Sequence, residues 1–249
     1  MIIKSLDNVQ FDLETNGIEV LKLEIDEISP RHTTEVFEGL DGHIDIDTTY
    51  DGRTMRVSFF MDNYSESKSQ LFDLINGKKY FYIIDELEPD KRYKVKAASK
   101  PKTERIGQSA KVEVELISNS PFAESVKTTK ESLYLSGTYT HSTNTFSIYN
   151  GSDIEIDPRV LPLLIEFNGP ATNLKITNNT NGDEWLYNGS VTTGNTVKLD
   201  GIRSLINETS ILGYTNKKLI RLDKGWNNFE VSGTTGAFTI SFDFRFYYF

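Results

Sequence analysis

The sequence predicts a mainly β protein: an N-terminal β domain with one short helix, followed by a C-terminal β-sandwich or jelly roll. Apolar and polar residues alternate with a period of two in several segments, as is typical of half-buried strands. Asparagine, which favours tight turns, rises from 5 residues in positions 1–130 to 13 in positions 131–249. The segment Ser118–Ala123 interrupts the strand pattern. We therefore expect two domains, 1–130 and 131–249, with the boundary near residues 120–140.

The strands of the first domain are predicted from alternation and from one apolar run. Three segments alternate apolar with charged or polar side chains: Leu21 to Ile25, Arg56 to Phe59 and Lys111 to Leu116. Successive side chains of a strand point to opposite faces, so each segment has one apolar face. Tyr80 to Ile84 is a run of large apolar residues, as expected of a strand that is buried on both faces. These segments should supply the core of the first domain.

One helix is predicted in the first domain, over roughly Glu66 to Asn76. Ser65 can cap its start, and Gly77 can adopt the left-handed conformation that ends a helix. Leu71 and Ile75 lie on one face. A helix of about three turns is marginal alone, so we expect this face to pack on a sheet.

The second domain contains eight strand-like segments separated by turn signals such as Asn181-Gly182 and Asn188-Gly189. The segments are Phe146–Tyr149, Leu163–Phe167, Leu174–Thr177, Trp185–Tyr187, Thr196–Leu199, Lys218–Leu222, Phe229–Val231 and Phe238–Tyr248. Many short strands at regular spacing favour a sandwich or jelly roll. The last segment is long and aromatic, and such a strand would promote aggregation if exposed. We expect it to be central in a sheet or covered by a neighbouring subunit.

Composition excludes several classes of protein. The 249 residues include no cysteine, which excludes a disulfide framework and thiolate metal sites. The N-terminus has no signal-peptide pattern. The sequence contains no run of 18 apolar residues, so we expect no membrane insertion. The net charge of −9 disfavours nucleic acid binding. The charge is unevenly spread: residues 1–50 carry 12 acidic and 3 basic side chains, and residues 51–130 carry 12 and 15.

No catalytic motif is present, so we expect neither catalytic residues nor a cofactor site. The three histidines, His32, His43 and His141, are far apart in sequence and none stands in a known catalytic motif. The segment Asp41–Asp47 places Asp41, His43, Asp45 and Asp47 two residues apart, on one face of a predicted strand, opposite Ile44 and Ile46. This spacing does not match a calcium loop. The pattern favours a solvated strand face over a metal site, and we expect no bound metal.

Two alternative functions stay open from the residues alone. Trp185 or Trp226 could stack on a sugar ring, as in a carbohydrate-binding adhesion module, although buried tryptophans are the commoner case. A glycosidase would need two carboxylates across a cleft. The 36 acidic residues single out no such pair.

Several short motifs follow one another in a fixed order along most of the chain. In the first half, Arg31 and Glu35 precede Gly39-Leu40-Asp41-Gly42, Tyr50-Asp51-Gly52-Arg53 precedes Met55–Met61, and Lys79–Glu86 is expected to pair with Arg92–Lys96. In the second half, Leu163–Gly169 precedes Leu174–Asn178, and Leu222–Phe229 is similar to a Pro-Gly-x-Asn turn with Lys224 in place of proline. Together with the chain length, this order resembles the distal tail proteins of siphophages.

The resemblance implies a structural, non-enzymatic hub protein of a phage tail tip or baseplate. Residues 1–130 would form a homo-hexameric ring, and residues 131–249 a galectin-like sandwich outside it. The ring would link the tail tube protein to the tail-tip hub, or tail-associated lysin, protein. The outer domain would hold receptor-binding or arm proteins. The resemblance further implies that the protein is made in the host cytoplasm and resides in the virion, and it brings no catalytic residues.

Overall fold

The computed structural model describes residues 1–132 and 136–249 and is mainly β, which confirms the predicted fold class. Two compact units make up the chain: Met1–Glu124 with Phe249, and Ser125–Tyr248. The expected boundary region, residues 120–140, includes residues 133–135, which lie outside the described residues. Within the described ranges, no helix combines the length and apolar composition needed to cross a membrane.

The first unit contains ten strands and one helix. They are β1 (Ile2–Lys4), β2 (Gln10–Phe11), β3 (Ile18–Ile25), β4 (Pro30–Glu35), β5 (Ile44–Tyr50), β6 (Arg53–Met61), α1 (Tyr64–Leu74), β7 (Phe81–Ile84), β8 (Lys91–Ala97), β9 (Lys102–Ile106) and β10 (Ser109–Ser118). An antiparallel sheet runs in the order β2-β1-β7-β8-β10-β6-β3, with β9 paired to β10. The expected pairing of Lys79–Glu86 with Arg92–Lys96 is present as β7 and β8, where Tyr82 faces Lys94.

The core of the first unit is centred on β6 and β10, which pair along their whole lengths. Met55, Val57, Phe59 and Met61 alternate along β6, and none is more than 1 % exposed. The predicted apolar residues of β10, Val112, Val114 and Leu116, are at most 3 % exposed. The alternation in these segments therefore identified the core correctly.

Leu21 departs from the predicted alternation. A bulge between Val20 and Lys22 shifts the register of β3 against β6. Two residues of the bulged strand then oppose one on the partner, and the extra residue leaves the apolar face. Leu21 is accordingly 48 % exposed.

The helix is confirmed, but its start lies earlier than predicted. Asn63, not Ser65, is the N-cap residue, and its side chain makes no capping hydrogen bond. Leu71 and Ile75 are 0 % and 2 % exposed, as expected of the packed face. Gly77 has φ +78°, the left-handed conformation expected after the helix.

Most strands of the second unit form two antiparallel sheets. Its strands are β11 (Ala123–Ser125, at the boundary), β12 (Thr140–His141), β13 (Thr145–Asn150), β14 (Leu163–Asn168), β15 (Ala171–Asn178), β16 (Asp183–Leu186), β17 (Ser190–Val191), β18 (Thr196–Asp200), β19 (Arg203–Ile206), β20 (Thr209–Ser210), β21 (Gly225–Thr234), β22 (Thr239–Phe244) and β23 (Tyr247–Tyr248). One sheet has the order β12-β22-β14-β18-β19-β20, and the other β13-β21-β15-β16 with β17 on β15. Phe229 of one sheet and Phe242 of the other lie 4.8 Å apart between ring centroids, so the sheets share a sandwich core.

The long aromatic segment Phe238–Tyr248 forms an interior strand, as expected. Its main part, β22, lies between β12 and β14 and pairs with β14 from Leu163 to Asn168. A short break then separates β22 from β23.

The prediction of a strand at Lys218–Leu222 is wrong. Only Leu222 forms a β-bridge, to Ile156. The backbone groups of the neighbouring residue form hydrogen bonds with side chains instead. Asp183 Oδ2 accepts from the Arg221 amide, and Asn178 Nδ2 donates to the Arg221 carbonyl. A segment whose polar groups are already satisfied by side chains needs no partner strand.

We predict that the two units fold independently. Each has its own buried core, and compact units of this size are usually stable alone. Limited trypsin digestion of the native protein should leave two resistant fragments that meet between residues 120 and 140. Mass spectrometry of the fragments tests this, and a resistant fragment that spans the whole region would contradict it.

Candidate functional site

The most unusual surface of the first unit is the hairpin of β4 and β5. These strands pair with each other from Pro30 with Tyr50 to Glu35 with Ile44, and among the described residues they pair with no other strand. Every residue of β4 and all but Thr49 of β5 are exposed. An isolated two-stranded hairpin is only marginally stable in water. The hairpin therefore needs an additional contact to be well ordered.

Exposed apolar side chains are concentrated on this hairpin and its connecting loop. Their exposed fractions are 74 % for Val36, 45 % for Phe37, 61 % for Leu40, 50 % for Ile44 and 59 % for Ile46. Single exposed apolar residues are normal, whereas a contiguous group marks an interaction site. We call residues 30–50 the assembly hairpin.

Several contacts anchor the base of the assembly hairpin to the rest of the first unit. The Tyr50 ring packs edge-on against Phe122, with centroids 6.1 Å apart. Arg31 forms an ion pair with Asp51 at 3.3 Å. A Cβ at Gly52 would lie 2.3 Å from the Ser118 carbonyl oxygen, so only glycine allows the chain to pass from β5 into β6. The Tyr50–Arg53 motif thus fixes where the hairpin leaves the sheet.

The segment Asp41–Asp47 does not form the single acidic face that its spacing predicts. Asp41 and His43 precede β5, and Gly42 turns the chain with φ +86°. A bulge in the pairing of Thr33 and Thr34 with Asp47 and Asp45 also skips Ile46. Within residues 1–132 and 136–249, no group of three or more potential ligands lies within reach of one ion. The expected lack of a metal stays a prediction.

The histidines have separate environments. His32 Nδ1 lies 2.9 Å from the Thr48 hydroxyl across the hairpin. His141 stacks on Phe146, with ring centroids 4.4 Å apart, and burial lowers the pKa of its imidazole. Neither contact is that of a base activating a nucleophile in an oriented catalytic triad.

The two tryptophans of the second unit differ in their surroundings. Trp185 is fully buried, and its indole Nε1 donates to Ser204 Oγ at 3.1 Å. Trp185 therefore cannot stack on a sugar, contrary to one of the alternatives above. Trp226 is 60 % exposed and faces Tyr149, which is 42 % exposed, on the neighbouring strand. Tyr149 was not identified from the sequence, because only strand pairing brings it next to Trp226.

A buried asparagine fixes the turn that precedes Trp226. The Asn227 Oδ1 accepts from the Asp223 amide at 2.9 Å, and its Nδ2 donates to the carbonyls of Asp223 and Gly225 at 2.8 and 3.1 Å. Gly225 has φ +88°, which glycine adopts without strain. The glycine and asparagine of the turn resembling Pro-Gly-x-Asn thus have clear structural roles.

Comparison with known proteins finds similarity to phage tail proteins. Residues 8–118 match the family described as the phage tail protein RIFT-related domain. No protein of curated function matches the sequence. The crystal structure of the Dit protein of phage SPP1, described as a paradigm of the hub adsorption apparatus of phages infecting Gram-positive bacteria, is similar with a TM-score of 0.72, 14 % identity and 98 % coverage of both chains.

Two structures of the activated phage p2 baseplate also contain a similar chain. The strontium form gives a TM-score of 0.51 and 8 % identity over 98 % of this chain and 96 % of the other. The calcium form gives 0.51 and 9 % identity over 97 % and 96 %. The resemblance to siphophage distal tail proteins is therefore confirmed at the level of the fold: residues 8–118 match a phage tail domain family, and the whole chain has the fold of the SPP1 Dit protein. The matched family is described as a phage tail domain, and the similar structures are described as a hub protein and as baseplates of phages.

We predict that Asn227→Ala lowers the free energy of unfolding by about 3 kcal/mol, because buried backbone groups of the turn lose their partners. Asn228→Ala is the control, since Asn228 is the exposed neighbour and its replacement should cost well under about 1 kcal/mol. Urea unfolding of both variants provides the measurement. Equal losses of stability in the two variants would contradict the role assigned to Asn227.

Proposed function

We propose that this chain is a hub subunit of a phage tail tip or baseplate, where six copies form a ring. The phage tail domain at residues 8–118 and the likeness to the SPP1 Dit protein support the hub role. The ring would join the tail tube protein to the tail-tip hub protein, and the second unit would hold receptor-binding or arm proteins. The protein would be synthesised in the host cytoplasm and reside in the virion.

The observation that carries the ring proposal is the exposed assembly hairpin. Its backbone is paired only internally among the described strands, and its apolar side chains face solvent. A neighbouring copy of the chain would remove these side chains from water. Covering each half-exposed isoleucine stabilises the assembly by about 1 kcal/mol. A second copy is always present where this chain is made in quantity, which makes it a natural partner.

Charge indicates which surface of the neighbour receives the hairpin. Residues 30–51 contain 6 acidic side chains and 1 basic one, whereas residues 91–111 contain 8 basic side chains and 1 acidic one. Lys100 and Lys102 form no ion pair among the described residues, and both line a cleft of about 390 Å³ whose lining carries five basic and three acidic side chains, a net charge of +2. Opposite charges on two surfaces steer association and fix its register. We propose that this basic cleft receives the acidic assembly hairpin of the next copy.

Two different surfaces in contact give a head-to-tail assembly rather than a twofold dimer. Such heterologous contacts close into a ring when the rotation between copies divides a full turn. Both surfaces belong to the first unit, so their relative angle does not depend on the connection to the second unit. Residues 1–130 are therefore sufficient for ring formation in this proposal.

We predict that Ile44→Asp/Ile46→Asp prevents ring formation, because two charges would have to be buried in the contact. Val160→Asp/Ile202→Asp is the control: these residues are 79 % and 62 % exposed but lie in the second unit. Light scattering after gel filtration should give six chain masses of 28.3 kDa for the wild type and the control. The hairpin variant should elute as a monomer with an unchanged circular dichroism spectrum.

The charge contribution is tested separately with Lys100→Glu/Lys102→Glu. This variant should also favour the monomer, and higher salt should weaken wild-type assembly because screening shortens the reach of surface charges. Hexamers that persist in the hairpin variant, or a wild type that stays monomeric at every concentration, would refute the proposal.

A further inference from the structure

We propose that the outer face of the β13–β21 strand pair in the second unit binds a neutral saccharide. The central feature is the exposed pair of Trp226 and Tyr149, which stand directly opposite each other in the register of the two strands. Their ring centroids are 5.1 Å apart, and the ring planes are inclined at 54°. The two rings together form a bent aromatic platform. A pyranose ring has an apolar C–H face that can lie on such a surface.

The platform is held in place from beneath. Asn227 fixes the turn before Trp226 through the hydrogen bonds described above. The Tyr139 hydroxyl donates at 2.7 Å to the backbone carbonyl of Tyr149, which lies on the neighbouring strand. Burial raises the pKa of Tyr139 to about 12, so this hydroxyl keeps its proton at physiological pH. Rings held on a rigid backbone lose little freedom on binding, which favours affinity.

Polar groups continue the same face beyond the rings. Asn228 and Glu230 follow Trp226 at two-residue steps along β21, each step about 7 Å. Opposite them stand Ser147 and Thr145 of β13. Ser147 Oγ donates to Asn228 Oδ1 at 2.8 Å. This bond uses the side-chain oxygen of Asn228 and leaves its Nδ2 hydrogens for another acceptor. Among the described residues, neither this amide nitrogen nor the Glu230 carboxylate has a side-chain partner.

This combination matches a sugar chain better than a protein partner. A sugar offers an apolar face and a rim of hydroxyls that both donate and accept, which complements an aromatic pair followed by amide, hydroxyl and carboxylate groups. A protein interface needs a larger apolar centre surrounded by a polar rim. Among the described residues, the large apolar side chains that β13 and β21 expose are these two rings.

The charges around the platform favour a neutral saccharide over an acidic one. Lys224 beside the turn is paired with Asp153 at 3.1 Å, and Lys175 on β15 is paired with Glu184 at 3.3 Å. Among the described residues of β13 and β21, Glu230 carries a carboxylate without an ion-pair partner, and this charge would repel phosphates and uronic acids. The expected ligand is therefore a chain of uncharged sugars.

The test uses the full-length protein and arrays of neutral tetrasaccharides built from glucose, galactose, mannose or N-acetylglucosamine, with uronate and sialylated oligosaccharides for comparison. At least one neutral probe should be retained. Titration with that probe should shift the emission of the exposed Trp226 to shorter wavelength, whereas the buried Trp185 already lies in an apolar environment.

Trp226→Ala and Tyr149→Ala should each weaken binding of the retained probe at least about tenfold, the equivalent of 1.4 kcal/mol. Tyr214→Ala is the matched control, since Tyr214 is 65 % exposed elsewhere in the second unit, and it should bind as the wild type does. Equal melting temperatures would show that all variants are folded.

Three results would overturn the saccharide proposal: no neutral probe is retained, binding survives Trp226→Ala unchanged, or only acidic probes are retained. Occupation of this face by a protein of the virion, with no sugar bound, would do the same. None of these results affects the ring proposal, which concerns the first unit and is measured by molecular mass.

Discussion

The assembly hairpin imposes the constraint on which the functional account depends. Among the described residues these two strands pair only with each other, and five large apolar side chains are exposed on and between them, so the hairpin is marginally stable without a further contact. Contacts at Tyr50, Asp51 and Gly52 anchor the base of the hairpin to the rest of the first unit. In the proposed ring, the cleft of a neighbouring copy would cover the apolar side chains and face the acidic ones.

The sequence predicted the core of the first unit well and the assembly hairpin poorly, for one physical reason. Period-two alternation identifies a strand with one apolar face, and in β6 and β10 that face is covered by the same unit. The segment around Ile44 and Ile46 has the same alternation, but nothing in the first unit covers it. Alternation in the sequence does not show whether the apolar face of a strand is buried by the same chain or by another copy.

In the second unit, the errors and omissions arise from contacts between residues distant in sequence. Lys218–Leu222 looks like a buried strand, but side chains of Asn178 and Asp183 bind its backbone. Trp226 was a candidate from its residue type alone. Its partner Tyr149 became visible only once the pairing of β13 and β21 was known. The buried Asn227, by contrast, was indicated by the turn motif, because a glycine and an asparagine at that spacing reflect a local backbone requirement.

Electron microscopy of the purified full-length protein tests the central claim most directly. Heterologous contact between the assembly hairpin of one copy and the basic cleft of the next predicts closed particles whose class averages have sixfold symmetry, with the hairpin at each contact between neighbouring copies. Twofold dimers, or single copies at concentrations where light scattering should detect rings, would contradict the account.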